Sequence, residues 1–323
     1  MDDELRKLIE FGVSKDEPLA RHCTLRVGGP ARYFFVARTR EDLVRAIRGA
    51  RKLNIKFVVL GGGTNTLASD QGFDGLVVKI AASEIRLEGS RVYADAGVLS
   101  VFAARKAAEA GLSGIEWMAT LPGTVGGAVR GNAGAFGSET KDHLESIDIL
   151  RGDQEMTISI AEAKFGYRDS IFKHSDDIVL GATFKLEIRD KTEIERRMKE
   201  FLSKRSDEQP LGAQSAGCIF KNYEPDTRPI EEVEKNFNSE DRPRLREFWA
   251  KNRVPAGWLI EKAGMKGFCV GKSCVSDKHG NFSVTTPGAT ADELVQLISA
   301  VKTKVRDQFG IQIQEEVQFI GFR

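Results

Sequence analysis

Between Leu121 and Gly137 the chain reads LPGTVGGAVRGNAGAFG, with six glycines in 17 residues. Glycine loses more backbone freedom on folding than any other residue, so such a run suits a backbone that must lie against something flat or charged. A dinucleotide fits: amide donors hold its diphosphate and small residues flank its rings, without a cluster of Lys or Arg. Close packing of a helix on a sheet would also explain the run taken alone. A second glycine segment, Gly61-Gly62-Gly63-Thr64-Asn65-Thr66, follows the apolar stretch KFVVL. It is no P-loop, because no Gly-Lys-Ser/Thr follows, and it is a poor Rossmann fingerprint. The third glycine is misplaced, and TNTLASDQGFDG has turn residues where a phosphate-binding helix should begin. By itself it is equally a tight turn.

Two such segments need a chain with room for more than one core, and 323 residues suggests two or three domains. Lys plus Arg (48) nearly cancels Asp plus Glu (47), which argues against nucleic acid or an acidic membrane as partner and for a small molecule. The N-terminal MDDELRKLIEFG is acidic and amphipathic, unlike an export signal, and no later apolar run is long enough to span a bilayer. Cys23, Cys218, Cys269 and Cys274 are too sparse for a disulfide scaffold and fit thiols in a reducing compartment. Cys269 and Cys274 have no neighbouring His pair to complete a tetrahedral metal site. The expectation is a cytoplasmic protein without a metal; a monomer is the default oligomeric state.

Residues 31–36 read as a strand, 40–53 as a helix and 56–60 as a second strand, a small β-α-β unit. GLVVKI at 75–80, the hairpin pattern RLEGSRVYADAG and an alanine-rich helix from Ser100 to Ala110 follow. Beyond the long glycine run, LESIDILRG, EMTISI and DIVLGATFKLEIRD alternate as strands to about Asp190, and a charged connecting helix succeeds them. A helix opens near Pro255, TADELVQLISAVKTKVRDQFG is a long amphipathic helix and QIQEEVQFIGF a terminal strand. The charged stretch 225–253, short of apolar periodicity, reads as a surface insertion. The expected divisions are 1–72, 73–190 and 191–323.

Eight blocks in order carry a family resemblance: TLRVGGPA from Thr24, GGGTNTLASDQGFDG, LPGTVGGAVRGNAGAFG, FGYRDS from Phe165, SAGCIFKN from Ser215, AGWLIEKAGMKGF, VSDKHGNF and Ile311 to Gly321. From about Thr24 to its C-terminus the chain resembles the UDP-N-acetylenolpyruvoylglucosamine reductase family. The resemblance implies an α+β, vanillyl-alcohol-oxidase-type FAD-binding fold of two subdomains plus a C-terminal α+β domain that binds the UDP-sugar. It implies NADPH as hydride donor, and reduction of an enolpyruvyl ether to a lactyl ether in peptidoglycan precursor synthesis. FAD is then expected on Gly61, Gly62, Gly63, Thr64, Asn65 and Thr66, and on Pro122, Gly123, Thr124, Gly126, Gly127, Asn132, Ala133 and Gly134.

The same resemblance assigns three reactive side chains. Charge that develops on the substrate carboxylate needs a planar, always-charged partner, and Arg168 in GYRDS matches the family's arginine. The residues alone allow a surface ion pair with Asp169 instead. Cys218 stands where the family usually has a serine proton donor. Glu316 matches the family's terminal carboxylate, and strand alternation would turn its neighbour Glu315 to the opposite face. Lys204, Arg205, Asn222, Lys262 and His279 fall in or near blocks expected to hold the UDP-sugar. The Arg168 to Cys218 spacing is short, as in the subtype without a substrate-clamping tyrosine loop, whereas 225–253 is longer than that subtype has. A sugar or alcohol oxidase of the same fold, or a non-catalytic flavin-binding module, would share the glycine segments but has no need of GYRDS, SAGCIFKN and Glu316 together.

Overall fold

The computed structural model describes residues 12–210 and 212–322, so the acidic N-terminal reading lies, apart from Gly12, outside the described residues. The chain forms two compact units: Met1–Glu17 with Ala31–Gly63 and Phe73–Asp207, and Pro18–Pro30 with Thr64–Gly72 and Glu208–Arg323.

In the first unit Thr39 accepts from Asp42 N–H and Asp42 accepts in return, a capping box that starts the helix Arg40–Lys52. Its buried face, Leu43, Val44, Ala46, Ile47 and Ala50, has helical spacing and packs in one core with Tyr33, Phe35, Leu76 and Val78. The expected β-α-β unit is split. Strands Pro30–Ala37 and Phe57–Leu60 do not pair with each other; both pair in parallel with Phe73–Ile80, which lies between them. A second, antiparallel sheet runs Gln154–Ile158, Leu144–Arg151, Ile178–Lys185, Arg91–Asp95, Ile85–Glu88. The helices Ser100–Glu109 and Val125–Gly131 contribute Ala103, Ala107, Val125 and Val129 to the same core.

In the second unit the strands Gln214–Cys218, Phe282–Thr285, Ser273–Val275 and Cys269–Val270 form an antiparallel sheet in that order. The helix Ala291–Phe309 opens on a Thr290/Glu293 capping box and ends at Gly310, φ +69°, burying Leu294, Leu297, Ile298, Val301 and Val305. Among the described residues no helix is long and apolar enough to cross a membrane.

Three readings change. The terminal strand is only Gln318–Ile320, paired in parallel with Thr66–Ala68, and Ile311–Val317 carries no more than an isolated bridge from Glu315 to Phe220. Cys269 and Cys274 are not thiols but a disulfide: their hairpin sets them directly opposite, 4.1 Å apart at Cα, which sequence spacing does not reveal. The stretch 225–253 is no surface insertion, for it contains the helices Ile230–Glu234 and Arg242–Ala250, and its Val233, Phe237 and Leu245 are core residues. Few apolar residues suffice because they are large: the Phe237 ring stacks 4.2 Å from Phe309 and 5.5 Å from Trp258.

Phe237→Ala is expected to destabilise the protein by about 3–5 kcal/mol, whereas an insertion-loop residue would cost under about 0.5 kcal/mol. Urea unfolding followed by far-UV circular dichroism measures the difference, and an unchanged midpoint would refute the burial argument.

Candidate active site

The two glycine segments meet inside the first unit. A Cβ on Gly61 would stand 2.6 Å from Thr124 Oγ1, so only glycine lets the first segment touch the start of the second. Thr124 caps the helix Val125–Gly131, its Oγ1 accepting from Gly127 N–H at 3.3 Å. A Cβ on Gly126 would stand 2.7 Å from Ala96 Cβ, whereas Gly127 is exposed with only Thr124 Oγ1 near its missing Cβ. Within one turn, then, one glycine serves packing and the next leaves backbone open. Pro122 is exposed, Gly123 and Gly62 are partly exposed, and the Gly123 carbonyl accepts from Ser100 N–H.

Arg168 occupies a tight turn in which Gly166 and Asp169 exchange both backbone hydrogen bonds. Its own backbone is left-handed, φ +54°, an uncommon state for a side-chain-bearing residue. The guanidinium donates to the carbonyls of Gly134 at 2.6 Å and Asn132 at 3.4 Å, so the long glycine run supplies its seat. Asp169 accepts from His174 at 2.9 Å. Burial works against ionising Asp169, but that bond and the Ser170 amide outweigh it and hold the carboxyl below its usual range. Asn132 is fully buried, and the Ala133 carbonyl accepts from Thr140.

In the second unit Cys218 ends a strand whose register slips between Ser215 and Cys218, with Gly217 at φ +75°. This bulge re-aims the thiol, which is partly exposed and not in a disulfide. The next residue, Ile219, accepts from Glu316 N–H at 2.7 Å and Val317 N–H at 3.3 Å through one carbonyl. Cys218 and Glu316 are therefore fixed on either side of a shared backbone junction. Glu315 is engaged elsewhere: its carboxylate pairs with Lys302 Nζ at 2.6 Å. That ion pair occupies the Glu315 carboxylate.

Two residues with no expected role organise this junction. Asn281, 3% exposed, accepts from Phe220 N–H and donates to the Phe220 carbonyl, like a neighbouring strand. It lies in VSDKHGNF, and its signal is that a buried amide needs partners. Lys302 gave no signal, being one of two lysines on a long helix. Asn65 joins the short glycine segment to Glu316: Nδ2 donates to the Glu316 carbonyl at 3.2 Å, and the Asn65 carbonyl accepts from Gln318 N–H. Thr66 is buried in the strand that pairs with Gln318–Ile320.

The remaining expected sugar contacts are divided between the two units. Lys204 and Arg205 ride the helix Lys191–Glu208, whose residues through Asp207 belong to the first unit; Lys204 is exposed and Arg205 donates to Thr120 Oγ1. In the second unit Asn222 accepts from Ala256 N–H at the start of the helix Ala256–Lys262. Lys262 pairs with Asp241 at 2.5 Å, a hydrogen bond that raises its pKa. Burial lowers the His279 pKa, and its Nδ1 accepts from Asn281 N–H, so the neutral ring carries its proton on Nε2.

These residues fit a flavin dinucleotide on one specific count beyond glycine content. Asn65 Oδ1 is buried without a hydrogen-bond partner among the described residues, an expensive state unless a ligand supplies a donor.

Comparison with known proteins agrees with this chemistry. Residues 31–158 match the FAD binding domain model, and residues 209–320 match the model for the C-terminal domain of UDP-N-acetylenolpyruvoylglucosamine reductase. Enzymes of that name from Caldanaerobacter subterraneus and Carboxydothermus hydrogenoformans are 35% and 36% identical to this chain. The alignments cover 99% of this chain and 97% and 98% of theirs. The crystal structure of the Thermus caldophilus reductase, MurB, superposes with a TM-score of 0.74 at 32% identity, covering 96% of this chain and 98% of that one. The fold is the expected α+β flavin-binding one, and the chain belongs to the UDP-N-acetylenolpyruvoylglucosamine reductase family.

Proposed function

We propose that the chain reduces the enolpyruvyl ether of UDP-N-acetylglucosamine to the lactyl ether of UDP-N-acetylmuramate, in the cytoplasm and as a monomer, with NADPH as electron source. The observation that carries the reading is the Ile219 junction, whose carbonyl directly follows Cys218 and accepts from the Glu316 N–H, so the backbones carrying a thiol and a carboxylate of the kinds this reduction needs are tied together. FAD, when bound, would supply hydride transfer from NADPH to the distal vinyl carbon. Gly61, Gly62, Gly63, Thr64, Asn65 and Thr66 with Pro122, Gly123, Thr124, Gly126, Gly127, Ala133 and Gly134 hold it, chiefly through backbone. The flavin-binding segments are assigned to 1–72 and 73–190 and the sugar-binding segment to 191–323, which the family matches at 31–158 and 209–320 support.

Arg168 binds the substrate carboxylate in the plane of its two oxygens and stabilises the charge arriving there. Cys218 gives its thiol proton to the ether carbon, and Glu316, in its protonated form, donates a hydrogen bond to the carboxylate as charge develops. Asn222 and His279 offer neutral polar contacts for the sugar, and Lys204, Arg205 and Lys262 offer charge to the diphosphate. The pairing of Lys262 with Asp241 makes it the weakest of these.

The purified protein is expected to be yellow, to bleach with NADPH and to recover its flavin spectrum with the enolpyruvyl UDP-sugar. A colourless protein that binds no FAD overturns the function. In stopped-flow measurements Arg168→Lys should keep its flavin but reoxidise it slowly with substrate, since a point charge replaces a planar fork; an unchanged rate removes Arg168 from the chemistry. Glu316→Gln should slow reoxidation and spare NADPH reduction. Glu315→Gln should do neither, and the opposite pattern would exchange their roles. Reoxidation should also fall at high pH as the Cys218 thiol ionises. Cys218→Ser should stay active and lose that alkaline limb, while Cys218→Ala reoxidises slowly at every pH; an alanine variant equal to the parent leaves Cys218 a packing residue.

A further inference from the structure

Asn132 was expected among the cofactor contacts, yet its side chain is directed wholly inward. It is 0% exposed, and its amide is engaged on both sides. Nδ2 donates one hydrogen bond to Glu139 Oε2 at 2.9 Å and another to the Gly166 carbonyl at 2.8 Å, which uses both of its hydrogens. Oδ1 accepts from Lys141 N–H at 3.2 Å. No donor remains on that side chain for a ligand.

Gly166 is the residue that opens the Arg168 turn. Asn132 therefore grips the turn at its base, while its own main-chain carbonyl takes a hydrogen bond from the Arg168 guanidinium. It can do both because its backbone is left-handed, φ +41° and ψ +55°, ending the helix Val125–Gly131 and turning the chain back toward Gly134, the other acceptor of the guanidinium. Asparagine is among the few residues with a side chain that enter this conformation readily, and its amide supplies the donor that glycine lacks. Around it, Glu139 is also paired with Lys141 Nζ, and Lys173 Nζ donates to the Arg168 carbonyl at 2.6 Å. The Arg168 turn is thus held from both ends, with a buried amide at its centre.

We propose that Asn132 is a positioning residue for Arg168: it locks the Gly166–Asp169 turn and the carbonyl seat of the guanidinium so that the arginine meets the substrate carboxylate in one fixed plane. This rests on the proposed role of Arg168. Asn132 does its work in the half-reaction that involves substrate and has none in flavin retention or in reduction by NADPH.

The test uses the flavin-loaded full chain. Asn132→Gly keeps the left-handed backbone accessible and deletes the amide. It should retain flavin, be reduced by NADPH within about twofold of the parent rate, and reoxidise with the enolpyruvyl UDP-sugar about 10- to 100-fold more slowly, the range common for residues that orient a reactive group. In an Arg168→Lys background the same change should cost no more than about twofold further, because the geometry it protects is already lost. Loss of flavin from a folded Asn132→Gly protein, or an undiminished penalty in the Arg168→Lys background, would overturn the proposal. Should the glycine variant fail to fold, Asn132→Asp decides. Its ionised carboxylate faces Glu139 and the Gly166 carbonyl, and its protonated form regains one donor, so its reoxidation relative to the parent should recover as pH falls. A ratio flat across pH overturns the proposal equally. If Arg168→Lys alone leaves reoxidation unchanged, the role of Arg168 has failed instead. The hold of Asn132 is then read from a crystal structure of Asn132→Gly: the guanidinium should have left the Gly134 carbonyl, and an unmoved guanidinium counts against it.

Discussion

A methyl group on Gly126 would lie 2.7 Å from Ala96 Cβ and 3.0 Å from its carbonyl oxygen, and much of the arrangement of the glycine-rich segments in the first unit follows from that contact. Gly126 N–H donates to Ala96 O at 2.9 Å and Val125 N–H to Val98 O at 2.8 Å, so the short helix is bonded to the chain beneath it through its first two residues. Backbone this close cannot admit a side chain, and any larger residue would force displacement at a cost of about 1–3 kcal/mol. From this fixed origin the helix reaches Asn132 after two turns, too short a span for its far end to wander. Thr124, at the start, is the residue Gly61 touches; Asn132, at the end, carries a carbonyl that receives Arg168. The glycine density of the run therefore reflects two requirements at once. Gly126 permits the packing, and Gly127, one step further round the helix, leaves backbone uncovered.

The second unit solves a similar problem with amides rather than glycine contacts. Phe220 needs partners for its own N–H and carbonyl, and the Asn281 side chain meets both. An unpaired buried backbone group costs about 1–3 kcal/mol, so the segment carrying Cys218, Ile219 and Phe220 has one low-energy position. The Ile219 carbonyl passes that position on to Glu316 and Val317. Ion pairing then sorts the glutamates: Lys302 takes Glu315.

The sequence made legible what depends on periodicity and caps. The helices Arg40–Lys52, Ser100–Glu109 and Ala291–Phe309 carry apolar stripes at helical spacing and end within a residue or two of their expected limits. The strands Leu144–Arg151, Gln154–Ile158 and Ile178–Lys185 lie where strands were expected, although Ile178–Lys185 buries four residues in a row instead of alternating. What stayed hidden depends on long-range pairing or on the environment of single groups. Thr66–Ala68 and Gln318–Ile320 are three residues each and about 250 residues apart, so neither has a pattern of its own. The 225–253 stretch buries a few large rings instead of a periodic face, which defeats a search for periodicity. Asn132 and Asn281 are both asparagines in glycine-containing blocks, and nothing in composition says that their amides point into the protein. The choice between Glu315 and Glu316 by alternation has only the isolated bridge at Glu315 to rest on.

Each of the three reactive side chains proposed here leaves the backbone where regular structure is interrupted. Arg168 sits at φ +54° in a turn, Cys218 directly follows a bulge at Gly217, and Glu316 lies in an irregular segment before the last strand. A regular strand sends successive side chains to opposite faces at fixed intervals, and a helix sends them round at fixed angles, so neither can aim one group without committing its neighbours. Irregular backbone removes that restriction at a cost of about 1–3 kcal/mol for a non-glycine residue in an unfavoured conformation. It also loses the hydrogen bonds that would have held it. Asn132 and Asn281 restore them, each inserting a buried side-chain amide where a peptide group of a neighbouring strand would otherwise stand. Aim and rigidity thus come from different residues. The reactive side chain needs the irregular backbone, and the irregular backbone needs the buried amide.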